Sequence, residues 1–312
     1  MDFGIQTGQQ HRSYEDILAL WQLAERCEFR SAWLYDHLVP VGGDMDGNVF
    51  EAWTMLASLL ARTSRIRGGI LVTCVMYRHP GVLAKQAVTV DHASGGRLEF
   101  GIGSCWNAWE SSLYGVPFPG LRERNARLEE AIDLMKMMWR AEPGPFEGEH
   151  YQVSGAHASP RPLQDLHPPV WVGGTGKRIP SIVASRADGW NVVFTSFDEY
   201  AGHLARVRAA CEEAGRDPLT LRLSFGQRVC VDATRERAEA RARDMYERNG
   251  APFDDFVRER VIFGAPPDVA AEVARFRDLG VNEFVLWHEP PIDDLDAAEQ
   301  IEAFAREVAP LL

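Results

Sequence analysis

Short apolar runs alternate with longer helical stretches from one end of the chain to the other, and no other feature restricts the fold as much. Eight pairs are readable. DFGIQ (2–6) precedes a helix predicted over 13–28, SAWLY (31–35) one over 50–63, IRGGILVT (66–73) one over 80–94, and RLEFGIG (97–103) one over 121–140. PVWVG (169–173) leads into 176–187, GWNVV (189–193) into 198–214, LRLSFGQRVCV (221–231) into 234–248, and EFVLW (283–287) into 294–308. The strands are apolar without alternation, as in parallel sheets covered by helices. Eight such units in 312 residues favour an α/β fold closed into a (β/α)8 TIM barrel over an open doubly wound sheet. No repeat or linker divides the chain, so a single domain over 1–312 is expected.

The connections at 36–49, 103–120 and 249–265 are long, and 141–168 is rich in Pro and Gly, with FEGEHYQV (146–153) reading as a small hairpin. Long segments in a compact domain tend to carry function. In a barrel they become insertions at the C-terminal mouth, where active sites lie. A net charge of −12, from 33 basic and 45 acidic residues, argues against nucleic acid bound over a broad face, while leaving room for one small anion. No apolar run approaches the length of a membrane helix. MDFGIQTGQQ lacks the features of a signal peptide, so a cytoplasmic protein is expected. Cys27, Cys74, Cys105, Cys211 and Cys230 are odd in number and scattered, which fits reduced thiols and gives no metal pattern.

Several motifs sit where predicted strands end. VGGTGKR (172–178) opens a helix; its glycines let backbone amides approach an anion, or simply make a tight turn with Lys177 and Arg178 solvated. It is not a Walker-type ATP loop. YDHL (35–38) sets a histidine beside a carboxylate, either a proton-handling pair or a structural one. In GWN (189–191), Trp190 and Asn191 could stack on and bond a heterocycle, or Trp190 could pack the barrel. GIGSCWNAWE (101–110) starts like a nucleotide turn but lacks the third glycine. Glu51 serves the dipole of the helix it opens, and RERNARLEEAIDLMK (122–136) reads as a solvated face with i,i+4 pairs.

Taken in order, MDFGIQT (1–7), AWLYDHLVP (32–40), LVTCVMYRHPGVLAKQAVTVDHASGGRLEFGIG (71–103), YGVPFP (114–119), RLEEAIDLMKMMW (127–139), FEGEHYQV, PRPLQ (160–164), HPPVWVGGTGKR (167–178) and ADGWNV (187–192) resemble the bacterial luciferase-like flavin monooxygenase superfamily. Within it they resemble the branch of deazaflavin (coenzyme F420)-dependent oxidoreductases. The resemblance runs from residue 1 to about 195.

It implies a barrel holding coenzyme F420, or alternatively FMN, at its C-terminal mouth. The expected activity is hydride transfer between the reduced deazaflavin and a small organic substrate with an activated C=C, C=N or carbonyl group; the alternative is an FMN-dependent monooxygenase. Its phosphate would be held by Gly173, Gly174, Thr175, Gly176, Lys177 and Arg178, with Arg12 as a further cation for an acidic tail. A non-prolyl cis peptide is implied at Leu71–Val72, aiming Val72 and Thr73 at the ring. His37 would lie in the cavity as proton donor, with Tyr77 and Glu110 in reserve and Asp36 as its orienting partner and cofactor contact. Tyr77 and His79 would line the pocket, Gly101 and Gly103 would allow close approach to the ring, and Asn107 would be a polar contact. Trp106, Trp109 and Trp190 would form the substrate pocket. Cys105 stands where relatives carry glycine, an uncomfortable place for a Cβ if φ is positive, and it is expected to pack as a small apolar residue. Trp106 stands where some deazaflavin dehydrogenases carry a glutamate acid, which disfavours a sugar-phosphate substrate and suggests an apolar or planar one. A homodimer is usual in the family.

Overall fold

The computed structural model describes residues 1–140, 144–288 and 297–312. Eight parallel strands close a barrel: β1 (Asp2–Gln6), β2 (Ser31–Leu34), β3 (Arg67–Ile70), β4 (Leu98–Gly103), β5 (Val170–Gly173), β6 (Gly189–Val193), β7 (Arg222–Val231) and β8 (Glu283–Trp287). They pair in chain order, and β8 pairs back onto β1 with Gly4 opposite Val285. The TIM barrel expected from the alternating pattern is therefore present.

The covering helices are α1 (Tyr14–Arg26), α2 (Ala52–Ala61), α3 (Pro80–Ala93), α4 (Leu121–Trp139), α5 (Ile179–Arg186), α6 (Phe197–Glu213), α7 (Arg235–Glu247), α8 (Pro266–Asp278) and α9 (Ala297–Ala303). In α1, Ser13 and Asp16 form a capping box, and Ile17, Leu18, Leu20, Trp21, Leu23 and Ala24 are buried. The box fixes where the helix begins, an effect of about 1 kcal/mol, and the apolar stripe fixes which face meets the barrel. The hairpin at 146–153 forms, pairing Phe146 with Val153, and the Glu130 carboxylate accepts N–H bonds from Glu149, His150 and Tyr151 in its turn.

One unit departs from expectation. Between β7 and β8 lies a short strand, Val261–Gly264, paired in parallel with the end of β7, and α8 follows it. Four apolar residues flanked by DDFVRER and APPD are too few to stand out as a strand. The start of the helix predicted at 294 and the first residues of the 141–168 segment lie outside the described residues.

Large residues fill the barrel interior opposite glycines. Trp33 and Trp171 meet edge to face at 6.1 Å, with Leu71 and Val285 beside them. A Cβ on Gly69 would come within 2.6 Å of the Trp33 ring, and one on Gly189 within 2.2 Å of Trp171. Below them, at the N-terminal ends of the strands, buried Glu99 bonds Arg67 and accepts from Trp171 Nε1 at 2.7 Å, while Arg222 stands 3.4 Å from it. This lower half is filled, and the cavity lined by His37 and Val72 lies towards the C-terminal mouth.

Candidate active site

A cavity of about 570 Å³ occupies that mouth. Its floor is the end of β3, where the chain breaks from the strand through a cis peptide at Leu71–Val72 and resumes pairing with β4 at Thr73–Cys74. The Val72 side chain lies between two strands: a Cβ on Gly103 would come within 2.6 Å of it, and one on Gly173 within 2.8 Å. Gly101 clears the Ile70 carbonyl oxygen, 2.1 Å from where its Cβ would be. The glycines of β4 thus make room for the β3 bulge, where close approach to a ring was expected of them.

Beyond β2, Asp36 and His37 turn to different partners. Asp36 turns to Arg78, whose guanidinium grips it through both nitrogens at 2.6 and 3.0 Å, and it accepts the Cys74 N–H at 2.9 Å. Arg78 also bonds Glu51, which caps α2 by accepting from the N–H groups of Trp53 and Thr54. The two carboxylates hold the Arg78 guanidinium charged against the cost of its burial. Asp36 lines the cavity, but it is spent on locking the bulge to β2 and is not the partner of His37.

That partner is Glu110. His37 Nδ1 lies 2.7 Å from Glu110 Oε2, and the other carboxylate oxygen accepts the Leu38 N–H. Glu110 is wholly buried on the short helix Ala108–Leu113. Burial opposes its charge, but the bonds from His37, Leu38 and Tyr77 outweigh burial and hold the carboxyl below its ordinary range. Burial and this carboxylate push the Tyr77 hydroxyl far above its usual value, so it stays protonated. Glu110 is therefore an ionised acceptor that orients His37, rather than a reserve proton donor. With Nδ1 turned to Glu110, Nε2 is the nitrogen left for the cavity. Trp106, two-thirds exposed, stands edge-on to His37 at 5.5 Å and lines the cavity.

The remaining wall comes from Gly173–Gly176, Asn191, Thr195, Asn125 and the apolar Val41, Leu121, Phe194 and Trp287, with Tyr35 and Asn107. Asn107 spends its amide oxygen capping the short helix at Glu110 N, 3.1 Å away. Gly174 adopts φ +110, and its carbonyl accepts from Trp190 Nε1 at 2.9 Å. Trp190 itself is buried and stacked on Tyr200, so it braces the glycine loop from behind and is not pocket wall. Trp109 is half exposed and lies outside the cavity lining. Lys177 and Arg178 lie on the exposed turn past the loop, Arg178 bonded to Glu129 at 2.8 Å. Arg12 is buried and donates to the carbonyls of Thr7 and His288, which removes it from any role beyond a phosphate. His79 caps α3 and packs on Tyr151, outside the cavity lining.

Two features were not expected. Cys74 and Cys105 form a disulfide with Cα atoms 5.1 Å apart, so Cys105 does not pack as a free thiol; Cys27 and Cys211 are free thiols. Cys105 holds φ +62, the left-handed region that glycine occupies without cost. The second is α4, read as solvated: it carries the i,i+4 pair Glu123–Arg127, but Arg124 and Asn125 are buried. Arg124 donates to the Ser104 carbonyl at 2.9 Å.

Three polar atoms of the wall, Thr73 Oγ1, Thr195 Oγ1 and Asn125 Oδ1, are buried without a hydrogen-bond partner. Each such group costs about 1–3 kcal/mol, which a polar ligand would offset. Among the described residues no N–H of 175–178 donates to a backbone carbonyl, and these groups open α5, where an anion is favoured. The residues present thus suit an elongated ligand with a polar heterocycle at one end and an anion at the other. No Lys or Arg lines the cavity among the described residues, and residues 141–143 and 289–296 contain neither.

A parallel barrel with a mouth cavity, a cis bulge on the third strand and a glycine loop on the fifth defines a class of barrel enzymes. The luciferase-like monooxygenase family matches residues 1–307, and the chain belongs to it. It is 29% identical to the F420-dependent glucose-6-phosphate dehydrogenase of Kineococcus radiotolerans, over 93% of this chain and 90% of that one. It is 31% identical to the F420-dependent hydroxymycolic acid dehydrogenase of Mycobacterium tuberculosis, over 76% of this chain and 64% of that longer protein. An F420-dependent secondary alcohol dehydrogenase solved with an F420-acetone adduct shares the fold, with a TM-score of 0.85 at 20% identity over 99% of this chain and 98% of that one.

Proposed function

We propose that this protein is a deazaflavin (coenzyme F420)-dependent oxidoreductase that exchanges a hydride with a small neutral carbonyl, imine or activated alkene and its reduced counterpart. The observation that carries the reading is His37, backed by buried Glu110, on the wall of a cavity that also exposes unpartnered polar atoms and, among the described residues, is lined by no Lys or Arg. The F420-dependent names of its relatives support the choice of coenzyme. When bound, the deazaflavin supplies hydride transfer rather than oxygen activation. Thr73, Thr195 and Asn125 would bond its polar heterocycle and side chain, and Gly173–Gly176 its phosphate, with Lys177 and Arg178 beyond.

His37 holds or releases a proton at Nε2, and Glu110 fixes the ring and its tautomer. Tyr77 remains a neutral donor to Glu110. Trp106, Phe194 and Trp287 exclude water from the reacting atoms and select an apolar or planar substrate. A substrate phosphate would meet no countercharge here, so the sugar phosphate named in one relative does not suit this cavity. The reading carries with it a cytoplasmic homodimer without a nucleic-acid partner; the net charge of −12 supports the last of these.

Tryptophan-fluorescence quenching by F420 and by FMN tests the coenzyme, and turnover of ketones, enones and imines by the reduced deazaflavin tests the reaction. Quenching by F420 with weak FMN binding is expected. Tight FMN binding with negligible F420 binding would overturn the proposal in favour of the flavin monooxygenase reading.

A further inference from the structure

We infer that the Cys74–Cys105 disulfide is a redox-modification site inside the active-site cavity, opened by a small thiol or dithiol and controlling the segment that carries Trp106 and Glu110. Both cysteines line the cavity, so a small thiol that enters it meets the bond. Cys74 is 5% exposed and Cys105 is more accessible, which makes Cys105 the sulfur attacked.

The exchange balances with a dithiol as reductant. Its thiolate bonds to Cys105 Sγ, the protein S–S bond breaks, and Cys74 leaves with the electron pair and takes a proton. The second thiol of the reductant then displaces Cys105 Sγ, which is protonated in turn. The reductant ends as a cyclic disulfide and the protein as two thiols. Cys74 stays registered against Gly103 through the β-pairing, and Val75 N bonds Gly103 O at 3.1 Å. The two thiols therefore remain adjacent and re-form the bond by reverse exchange with the oxidised, cyclic-disulfide form of the dithiol, which takes up the two electrons and two protons.

Reduction matters because of where Cys105 sits. An L residue at φ +62 persists only where its surroundings impose that conformation. The bond to Cys74 ties Cys105 to the bulge that Arg78 and Asp36 fix. On the other side, Asn107 starts the helix that presents Glu110 to His37. With the bond cut, Arg124 still holds the Ser104 carbonyl, but nothing covalent opposes relaxation of residue 105. Trp106 and the start of the short helix then lose their fixed position.

The free protein is equilibrated in graded mixtures of oxidised and reduced dithiothreitol. Thiols are counted by alkylation and mass spectrometry, and amide hydrogen exchange is followed residue by residue. Cys74 and Cys105 are expected to titrate together, apart from Cys27, Cys211 and Cys230. Exchange over 104–114 is expected to rise about tenfold on reduction, the size of the left-handed penalty released at one residue, with β1–β8 unchanged. C74A/C105G, whose glycine suits φ +62, should be insensitive to dithiothreitol. Cys74 and Cys105 that alkylate at every ratio, or exchange over 104–114 that is the same in both states, would overturn the inference. These readouts need no coenzyme, so they stand or fall apart from the assignment of F420.

Discussion

Glu283 sits at the bottom of the barrel, 1% exposed, bonded to Ser31 Oγ through one oxygen, while Arg222 is 3.9 Å from the other. Burial, and then the neighbouring Glu99 carboxylate, raise its pKa from an ordinary 4.5 to about 7. Between those values the folded protein keeps a proton that the unfolded chain has released, so its stability falls as pH rises through the window. At ~1.4 kcal/mol per pH unit the full loss is about 3 kcal/mol, complete above pH 7 and absent below 4.5. Glu283→Gln keeps an acceptor for Ser31 and cannot ionise. Its stability relative to the parent should therefore grow with pH, by about 2 kcal/mol between pH 5.5 and 8. Urea denaturation of both proteins across that range gives the difference, in which titrating groups that do not interact with Glu283 cancel. Infrared absorption of a protonated carboxyl at pH 5.5, lost in the variant, reports the proton directly. A stability gap that stays constant with pH within about 0.5 kcal/mol, well inside the expected span, would refute the assignment of the proton to Glu283.

Glu110→Gln replaces an acceptor facing the donors of His37, Leu38 and Tyr77 with an amide and releases the tautomer of His37. Turnover should fall by between about 100-fold and the roughly 10⁴-fold seen when a catalytic histidine loses its orienting carboxylate, with F420 affinity changed little. A loss under threefold in steady-state kinetics would remove the dyad from the reaction. Gly103→Ala and Gly173→Ala each place a Cβ against Val72 and should cost about 1–3 kcal/mol by overpacking; denaturation midpoints and coenzyme affinity read the effect. With the cross-link absent, C74A/C105G should be more stable than C74A/C105A by about 1 kcal/mol, because only alanine pays for φ +62. The cross-link spans a sequence separation of 31, so both should fall below the oxidised parent by about 3–4 kcal/mol on the loop-entropy account. Thermal unfolding of the three proteins orders them.

The barrel was legible because its strands are buried on both faces and its helices keep one apolar stripe, so each unit announces itself within a dozen residues. What escaped was whatever is short or charged. Val261–Gly264 carries too few apolar residues to register, and Arg124 and Asn125 sit in a helix whose mean character is ionic. Arg124 satisfies its donors on the carbonyls of Ser104 and Pro119, and such bonds leave no trace in hydrophobic periodicity.

The site divides along the same physical line. The glycine loop and the β3 bulge depend on local backbone and side-chain clearance, so short motifs mark them. The surroundings of His37, Asp36 and Cys105 are set by residues far along the chain: Glu110 is 73 positions from His37, Arg78 is 42 from Asp36, and Cys74 is 31 from Cys105. Asp36 and His37 are adjacent in sequence, yet Arg78 draws one and Glu110 the other, which is why adjacency suggested a pair that does not exist. Cys105 is the instructive case, since a non-glycine residue where positive φ was suspected is a local conflict that only a distant tether resolves. At Cys105 the residue that breaks the backbone rule of its position has a long-range partner, Cys74, at the edge of the bulge that floors the cavity.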